Sequence, residues 1–130
     1  MKYGYTIVYV RDVEQTLKFY HHAFGFEIKF LHESKDYGEL ETGATVLAFA
    51  SHQLGEANLN GKYLQGNSQN LPFGLELAFV TEDVEAAIAK AVEQGALLVK
   101  ASELKPWGQT VGYVRAIDGS IIELCSSMGS

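Results

Sequence analysis

Cysteine, clusters of basic residues and long apolar runs are scarce or missing in this sequence. Cys125 is the single cysteine among 130 residues, so no disulfide can form within the chain. A lone thiol fits a reducing compartment, and we expect a cytoplasmic protein.

The lack of basic clusters argues against one large class of partner. The formal net charge is −6, and the lysines and arginines are scattered along the chain. Proteins that bind nucleic acid need a basic patch against the phosphates, so we expect no nucleic-acid partner. No stretch approaches the about 20 apolar residues that span a bilayer. The first residues also lack the pattern of a signal peptide, so we expect no membrane partner.

The features that are present predict a globular domain whose first half contains one strand, one helix and three further strands. The apolar share of 47% is ordinary for such a domain. Tyr5–Val10 is rich in β-branched and aromatic residues, which favours a buried strand. Asp12 is placed to cap a helix that runs to about Ala23, and Gly25 is placed to end it. The further strands are expected at residues 26–32, 37–41 and 45–50.

A polar segment rich in glycine and asparagine separates this half from the next. Loops this long are uncommon inside a domain unless they connect parts of it or carry function. We expect module 1 at about residues 1–52, a linker at about 53–72 with a short helical turn near 57–63, and module 2 at about 73–128.

The second half repeats the pattern of the first about 70 residues later. Asp83 is placed to cap a helix and Gly95 to end it, as Asp12 and Gly25 do in the first half. Strands are expected at residues 75–80, 96–99, 111–116 and 120–125, with the Asp118-Gly119 turn joining the last two. Two βαβββ modules predict an α+β fold with two sheets facing each other around a cleft.

These motifs, in this order, resemble the vicinal-oxygen-chelate superfamily of glyoxalases, bleomycin-resistance proteins and extradiol dioxygenases. The resemblance covers nearly the whole chain. It lies in the segments YTIVYVRDVE (5–14), FY (19–20), FGF (24–26), ELAFVTEDV (76–84), GA (95–96), Gly108, DG (118–119) and IEL (122–124). It implies paired βαβββ modules, a ligand cleft and a homodimer.

Metal-dependent members of this superfamily take four His, Gln or Glu ligands from the first and last strands of each module. The corresponding positions here are Tyr5, Ala48, Glu76 and Glu123. Tyr5 is a poor ligand because a phenol keeps its proton to about pH 10, and Ala48 has no donor atom. Transition metals need three or four good ligands, so no cofactor is expected. Glu76 and Glu123 are the candidate ligands for a weakly held Mg²⁺ or Mn²⁺.

Without a metal, Glu76 and Glu123 form a candidate acid/base pair. Two close carboxylates repel, so one of them tends to keep a proton at neutral pH. Such a pair can transfer protons or bind a cationic group. The alternative is that both are solvated on exposed strand faces. Cys125 shares the strand face of Glu123 and is expected to be a small buried side chain.

Aromatic and apolar residues are the candidates for the wall of a ligand pocket. They are Tyr5, Ile7, Tyr9, Phe49, Trp107 and Tyr113. For Ile7 and Phe49, plain core packing is the better interpretation. Trp107 lies in a loop and could stack on a flat or cationic ligand. His52 follows the last strand of module 1 and is the one histidine near the expected cleft. It could serve as a displaced ligand or base, although a loop histidine is more often neither.

The sequence leaves three hypotheses for the function. The first is sequestration of a drug or metabolite in an aromatic cleft, as in bleomycin-resistance proteins. The second is a metal-dependent glyoxalase-like lyase or isomerase that uses Glu76 and Glu123. The third is an interaction module whose cleft is vestigial. The incomplete ligand set favours small-molecule binding, and whether the chain is an enzyme stays open.

Overall fold

The predicted strand–helix repeat occurs twice in the computed structural model, which describes residues 1–128. The chain divides into two units, Met1–Gly66 and Asn67–Ser130. The elements of the first unit are β1 (Tyr5–Val10), α1 (Val13–Phe24), β2 (Ile28–Leu31), β3 (Tyr37–Leu40), β4 (Val46–Ser51) and α2 (His52–Leu59). Those of the second are β5 (Glu76–Val80), α3 (Val84–Glu93), β6 (Leu97–Leu104), β7 (Thr110–Arg115) and β8 (Ile121–Cys125).

The predicted ends of α1 are confirmed by its capping geometry. The Asp12 carboxylate accepts a hydrogen bond from the Gln15 backbone N–H at 2.9 Å. Gly25 ends the helix with φ +80°, in the left-handed region that glycine enters without steric cost. Asp83 caps α3 in the same way, accepting from the Ala86 N–H at 3.0 Å.

The sheet of the first unit has the strand order β1-β4-β3-β2, with β1 and β4 parallel and the other pairs antiparallel. Helix α1 covers one face, where Phe49 is 0% exposed and its ring lies 4.7 Å from that of Tyr20. Because strand side chains alternate, Tyr5, Ile7 and Tyr9 share the opposite face. The core of this unit therefore lies between α1 and the sheet.

The sheet of the second unit repeats this order as β5-β8-β7-β6, with β5 and β8 parallel. Helix α3 covers the face that carries the buried Ile122 and Leu124. Gly112 also faces the helix, and a β-carbon there would collide with the Ile88 side chain. The other face carries Glu123, which the packing leaves outside the core.

Most strands lie within one or two residues of the predicted bounds, and two elements differ by more. The helical turn expected near residues 57–63 is instead α2 at His52–Leu59, because the Ser51 hydroxyl caps it by accepting from the Leu54 N–H at 3.0 Å. Strand β6 extends to Leu104, whereas the sequence predicted its end near residue 99. Antiparallel pairing with β7 sustains the extra residues, since Leu104 lies opposite Thr110.

Arg115 ties the start of the second unit to the β7–β8 hairpin. Its guanidinium donates hydrogen bonds to the carbonyl oxygens of Gly119, Asn67 and Asn70, at 3.0, 2.9 and 2.6 Å. Two residues of the segment expected to be a linker, Asn67 and Asn70, are thus held by charge-assisted hydrogen bonds. Across residues 1–128, none of the helices is long and apolar enough to cross a membrane.

Candidate functional site

Glu76 and Glu123 occupy neighbouring parallel strands and point to the same face of their sheet. In the β5–β8 register Ala78 lies opposite Glu123, and Glu76 stands two residues before Ala78 on the same face. Tyr113 on β7 lies opposite Glu123 from the other side. The face opposite α3 therefore brings these three residues together, and we call Glu76, Tyr113 and Glu123 the acidic cluster.

The acidic cluster is held together by hydrogen bonds and by mutual charge effects. The Tyr113 hydroxyl donates to Glu123 Oε1 at 3.2 Å. Partial burial of the carboxyl raises the pKa of Glu76, and the charge of Glu123 and a hydrogen bond with it raise that pKa further. Burial and the two carboxylates likewise raise the pKa of the Tyr113 phenol. Glu76 is the member that retains a proton more readily, as expected for adjacent carboxylates.

The raised pKa of Glu76 makes stability depend on pH. A glutamate titrates near 4.5 when unperturbed, so the folded protein binds more protons than the unfolded chain from about that pH up through the raised pKa. The contribution of Glu76 to the free energy of unfolding therefore falls as pH rises through this window. Urea denaturation at a series of pH values should show the stability of the wild type, measured relative to Glu76→Gln, falling as pH rises through this window.

Glu85→Gln is the matched control, because Glu85 is an exposed glutamate in the first turn of α3 in the same unit. That variant should keep the wild-type pH profile. Parallel profiles for the wild type and Glu76→Gln would contradict the proposed proton retention by Glu76.

Cys125 lies beside the acidic cluster on the same strand face but is not available as a nucleophile. It is 3% exposed, and its thiol donates to the Phe79 carbonyl oxygen at 3.8 Å. Burial raises the pKa of the thiol, and a hydrogen bond with Glu123 and that carboxylate's charge add to the effect. A thiol rather than a thiolate is therefore present at neutral pH, as expected for a structural cysteine.

The residues at the superfamily's ligand positions do not make up a transition-metal site. In the first unit Ile7 lies opposite Ala48, which reproduces the register of Ala78 and Glu123 in the second. Ala48 thus occupies the expected position but has no donor atom. In the part of the chain that the structure describes, no group of three His, Cys, Asp or Glu side chains is arranged to hold a metal ion. Two carboxylates alone fall short of the three or four ligands such ions need.

The sequence interpretation missed one buried carboxylate in the first unit. Glu39 on β3 lies opposite Ala48 and is 7% exposed. Its Oε2 accepts from the Tyr37 hydroxyl at 2.7 Å, and Lys29 Nζ lies 3.9 Å from Oε1. Burial and the neighbouring Glu39 raise the pKa of Tyr37, so its phenol stays protonated as the donor. The alternation of Tyr37 and Glu39 with Gly38 was the signal available in the sequence.

The predicted aromatic wall divides between different environments. Phe49 faces α1 in the core, which is the plain core packing that the sequence favoured for it over a place in the pocket wall. Tyr5 is 58% exposed and Ile7 is 46% exposed. Ile7 is therefore not packed in the core of this unit, although the sequence favoured core packing for it. Trp107 is 59% exposed in its loop and donates from Nε1 to Gln109 Oε1 at 3.0 Å.

Tyr9 and His52 belong to a cluster around Tyr63 in the first unit. The ring centroids of Tyr9 and Tyr63 are 5.0 Å apart, and His52 Nδ1 lies 2.8 Å from the Tyr63 hydroxyl. Burial lowers the pKa of His52, so its imidazole is neutral at pH 7. Gly55 makes this possible, because a β-carbon there would overlap the Tyr63 ring.

Each unit has one helix against a four-stranded sheet, and the two sheets share one strand order. This arrangement defines a protein of the paired βαβββ class, in which the second unit carries two carboxylates on its open sheet face. The model of the glyoxalase-like domain family matches residues 3–129. The chain therefore belongs to the glyoxalase-like domain family of the vicinal-oxygen-chelate superfamily. Among curated proteins, no sequence matches this chain.

Solved structures share the fold at low sequence identity. A glyoxalase-related enzyme from Fulvimarina pelagi superposes with a TM-score of 0.84 at 21% identity, covering 98% of this chain and 88% of that one. A glyoxalase/bleomycin resistance protein/dioxygenase family enzyme from Burkholderia phytofirmans gives 0.74 at 20% identity, covering 95% and 96%. A protein of unknown function from Agrobacterium tumefaciens gives 0.78 at 26% identity, covering 98% and 95%.

Proposed function

We propose that this protein binds a small organic molecule that carries a cationic group, and that the acidic cluster is the group's binding site. The observation that carries the proposal is the placement of Glu76 and Glu123 on one sheet face with Tyr113 bonded to Glu123. A cation relieves the repulsion between the two carboxylates, and an ammonium group can donate hydrogen bonds to both. Binding without catalysis is the role of bleomycin-resistance proteins, which this chain resembles.

Several features of the surroundings support an organic ligand over a bare metal ion. The cluster has two carboxylates and a phenol, which suits an ammonium donor better than a transition metal. Ala78 and Val80, on the same strand face as Glu76, are exposed and offer apolar surface beside the charges. A ligand with both an apolar body and a cationic end would bury the first and pair the second.

The test is a thermal-shift screen of cationic aromatic amines against the purified protein, with divalent metals in parallel. Hits are then titrated into the wild type, Glu76→Gln and Glu123→Gln. Loss of one charged hydrogen-bond partner should weaken binding about 10- to 100-fold. The Glu85→Gln control should bind as tightly as the wild type. The amide signals of residues 76–80 and 121–125 should shift on binding.

Two results would reject this function. One is a screen in which no cationic compound raises the melting temperature while a divalent metal does. The other is a hit whose affinity does not change in either glutamine variant. The first result would favour the alternative function, a metal-dependent lyase or isomerase.

The alternative has one specific observation in its favour, which is the raised pKa of Glu76. A carboxyl group that titrates closer to neutral pH is better suited to move a proton to or from a substrate. In that case Glu76 would act as the acid or base. Glu123, bonded to the Tyr113 hydroxyl, would keep its negative charge beside Glu76 and so keep the pKa of Glu76 raised. Turnover of a substrate that requires an added divalent metal and is lost in Glu76→Gln would establish this function.

The homodimer and the cytoplasmic location also remain proposals. Strand β6 is an edge strand of its sheet and carries exposed apolar side chains. These are Leu97, Leu98, Val99 and Leu104, each more than half exposed. An apolar edge of this kind is commonly covered by a partner, which supports self-association.

A further inference from the structure

A polar pocket lies in the first unit where the parallel strands β1 and β4 end and the helices α1 and α2 begin. Its volume is about 580 Å³, within the range typical of small-molecule sites. The charged residues of its lining are Arg11, Asp12, Glu14, Lys35 and Asp36, and polar side chains make up most of the rest. None of them belongs to the acidic cluster, so this pocket lies outside the function proposed above.

The charges of the lining are mixed, and most of them already have partners. Asp12 caps α1, and Lys35 Nζ lies 3.3 Å from Glu14 Oε1. Asp36 Oδ1 accepts from the Ser51 hydroxyl at 2.7 Å. Within residues 1–128 the Arg11 guanidinium makes no side-chain hydrogen bond and no ion pair. The pocket thus offers one unpaired cation, Arg11, and a carboxylate, Asp36, whose side-chain partner is a neutral hydroxyl.

This pattern selects the charge type of a ligand. Two cationic and three acidic side chains line the pocket, so a ligand with several negative charges would meet net repulsion. A purely cationic ligand would leave Arg11 unpaired. A ligand with one anionic and one cationic group would satisfy both, and the amides of Gln53 and Gln65 could bond its polar substituents.

Side chains supply charged and polar groups to this pocket, and each of the two helix starts has one of its backbone N–H groups capped. The Asp12 and Ser51 side chains accept from the backbone N–H groups of Gln15 and Leu54. His52 is held in place by Tyr63, which fixes one edge of its imidazole and leaves the other nitrogen to a ligand. The fixed positions of Asp12, Ser51 and His52 reduce the conformational entropy that this part of the pocket would lose on binding.

We propose that this pocket binds a small zwitterion of the amino-acid type. Arg11 pairs with the carboxylate of the ligand, and the free oxygen of Asp36 accepts from its ammonium group. His52 and the two glutamine amides bond the remaining polar atoms.

The experiment is a titration of the full chain with each of the twenty L-amino acids, followed by two-dimensional amide NMR. At least one should give saturable shifts at residues 11–14, 34–36 and 51–53, with none along α3 at Val84–Glu93. The best binder is then compared with the amine that lacks its carboxylate and with the acid that lacks its ammonium group. Each should bind about 10-fold more weakly or worse.

Variants assign the two contacts separately. Arg11→Gln should weaken the amino acid about 10-fold without unfolding the protein, since Arg11 is exposed. Asp36→Asn keeps an acceptor for Ser51 and should weaken the amino acid while leaving the acid analogue unchanged. Lys62→Gln removes a positive charge of the same unit outside the pocket and should have no effect.

Three results would overturn the proposal. They are the absence of saturable shifts in the pocket with every amino acid, equal affinity for an analogue with a single charge, and unchanged affinity in Arg11→Gln. None of these results bears on the acidic cluster, whose test monitors residues 76–80 and 121–125.

Discussion

Phe49→Ala will lower the free energy of unfolding of the first unit by about 3–5 kcal/mol. Phe49 is 0% exposed and packs against Tyr20 beneath α1. Truncation removes its buried ring and leaves a cavity, because the fully buried Leu17 and Leu40 are held by α1 and β3 and can only partly close it. Urea denaturation followed by far-ultraviolet circular dichroism will measure the loss.

Tyr5→Ala is the matched control for this variant. Both residues were predicted to line one aromatic pocket, and both lie in the same sheet. Tyr5 is on the uncovered face and 58% exposed, so its removal should change the free energy of unfolding by no more than about 0.5 kcal/mol. Similar losses in the two variants would mean that the faces of this sheet have been assigned incorrectly.

Gly119→Ala is expected to be the most damaging of the glycine substitutions in the second unit. Gly119 has φ +96°, a conformation that costs a residue with a side chain about 1–3 kcal/mol. A β-carbon there would also lie 2.6 Å from the carbonyl carbon of Asn67. Arg115 holds Asn67 in place, so the clash adds about 1–3 kcal/mol to the backbone strain.

Gly108→Ala separates the two costs. Gly108 has φ +92°, but a β-carbon there would meet nothing within 4 Å. Thermal unfolding of both variants should therefore show a smaller loss for Gly108→Ala, and the difference measures the packing against Asn67. Equal losses would show that the segment beginning at Asn67 is free to move aside. Arg115→Gln should reduce the difference, since it releases that segment.

The elements that local chemistry controls were predicted well. The ends of α1 follow from Asp12 and Gly25, because a cap and a left-handed glycine act within a few residues. The β7–β8 hairpin follows from Asp118-Gly119 for the same reason. By contrast α2 begins earlier than expected, because its cap is Ser51, a residue that also ends β4. The length of β6 depends on pairing with β7, which no local pattern reports.

The candidate site was predicted in part. Alternation along a strand placed Glu76 and Glu123 on definite faces, and the parallel pairing of β5 with β8 made those faces the same. Neither the sequence nor the alternation revealed that Tyr113 donates to Glu123. Glu39 was missed because its neighbour Ala48 lies nine residues later on another strand.

The amino-acid sequence by itself determined the capped ends of α1 and α3, because a cap depends on residues close together in the chain. It also determined the repeat and the motifs that identify the superfamily, because these are patterns of residue types that can be compared along the chain without knowing its contacts. The tertiary structure alone decided which sheet face the helices cover, and hence that Phe49 is core while Tyr5 is exposed. It also brought residues 11–14, 34–36 and 51–53 to one pocket. Contacts between residues 20 to 50 positions apart depend on strand order and register, which hydrophobic periodicity does not encode.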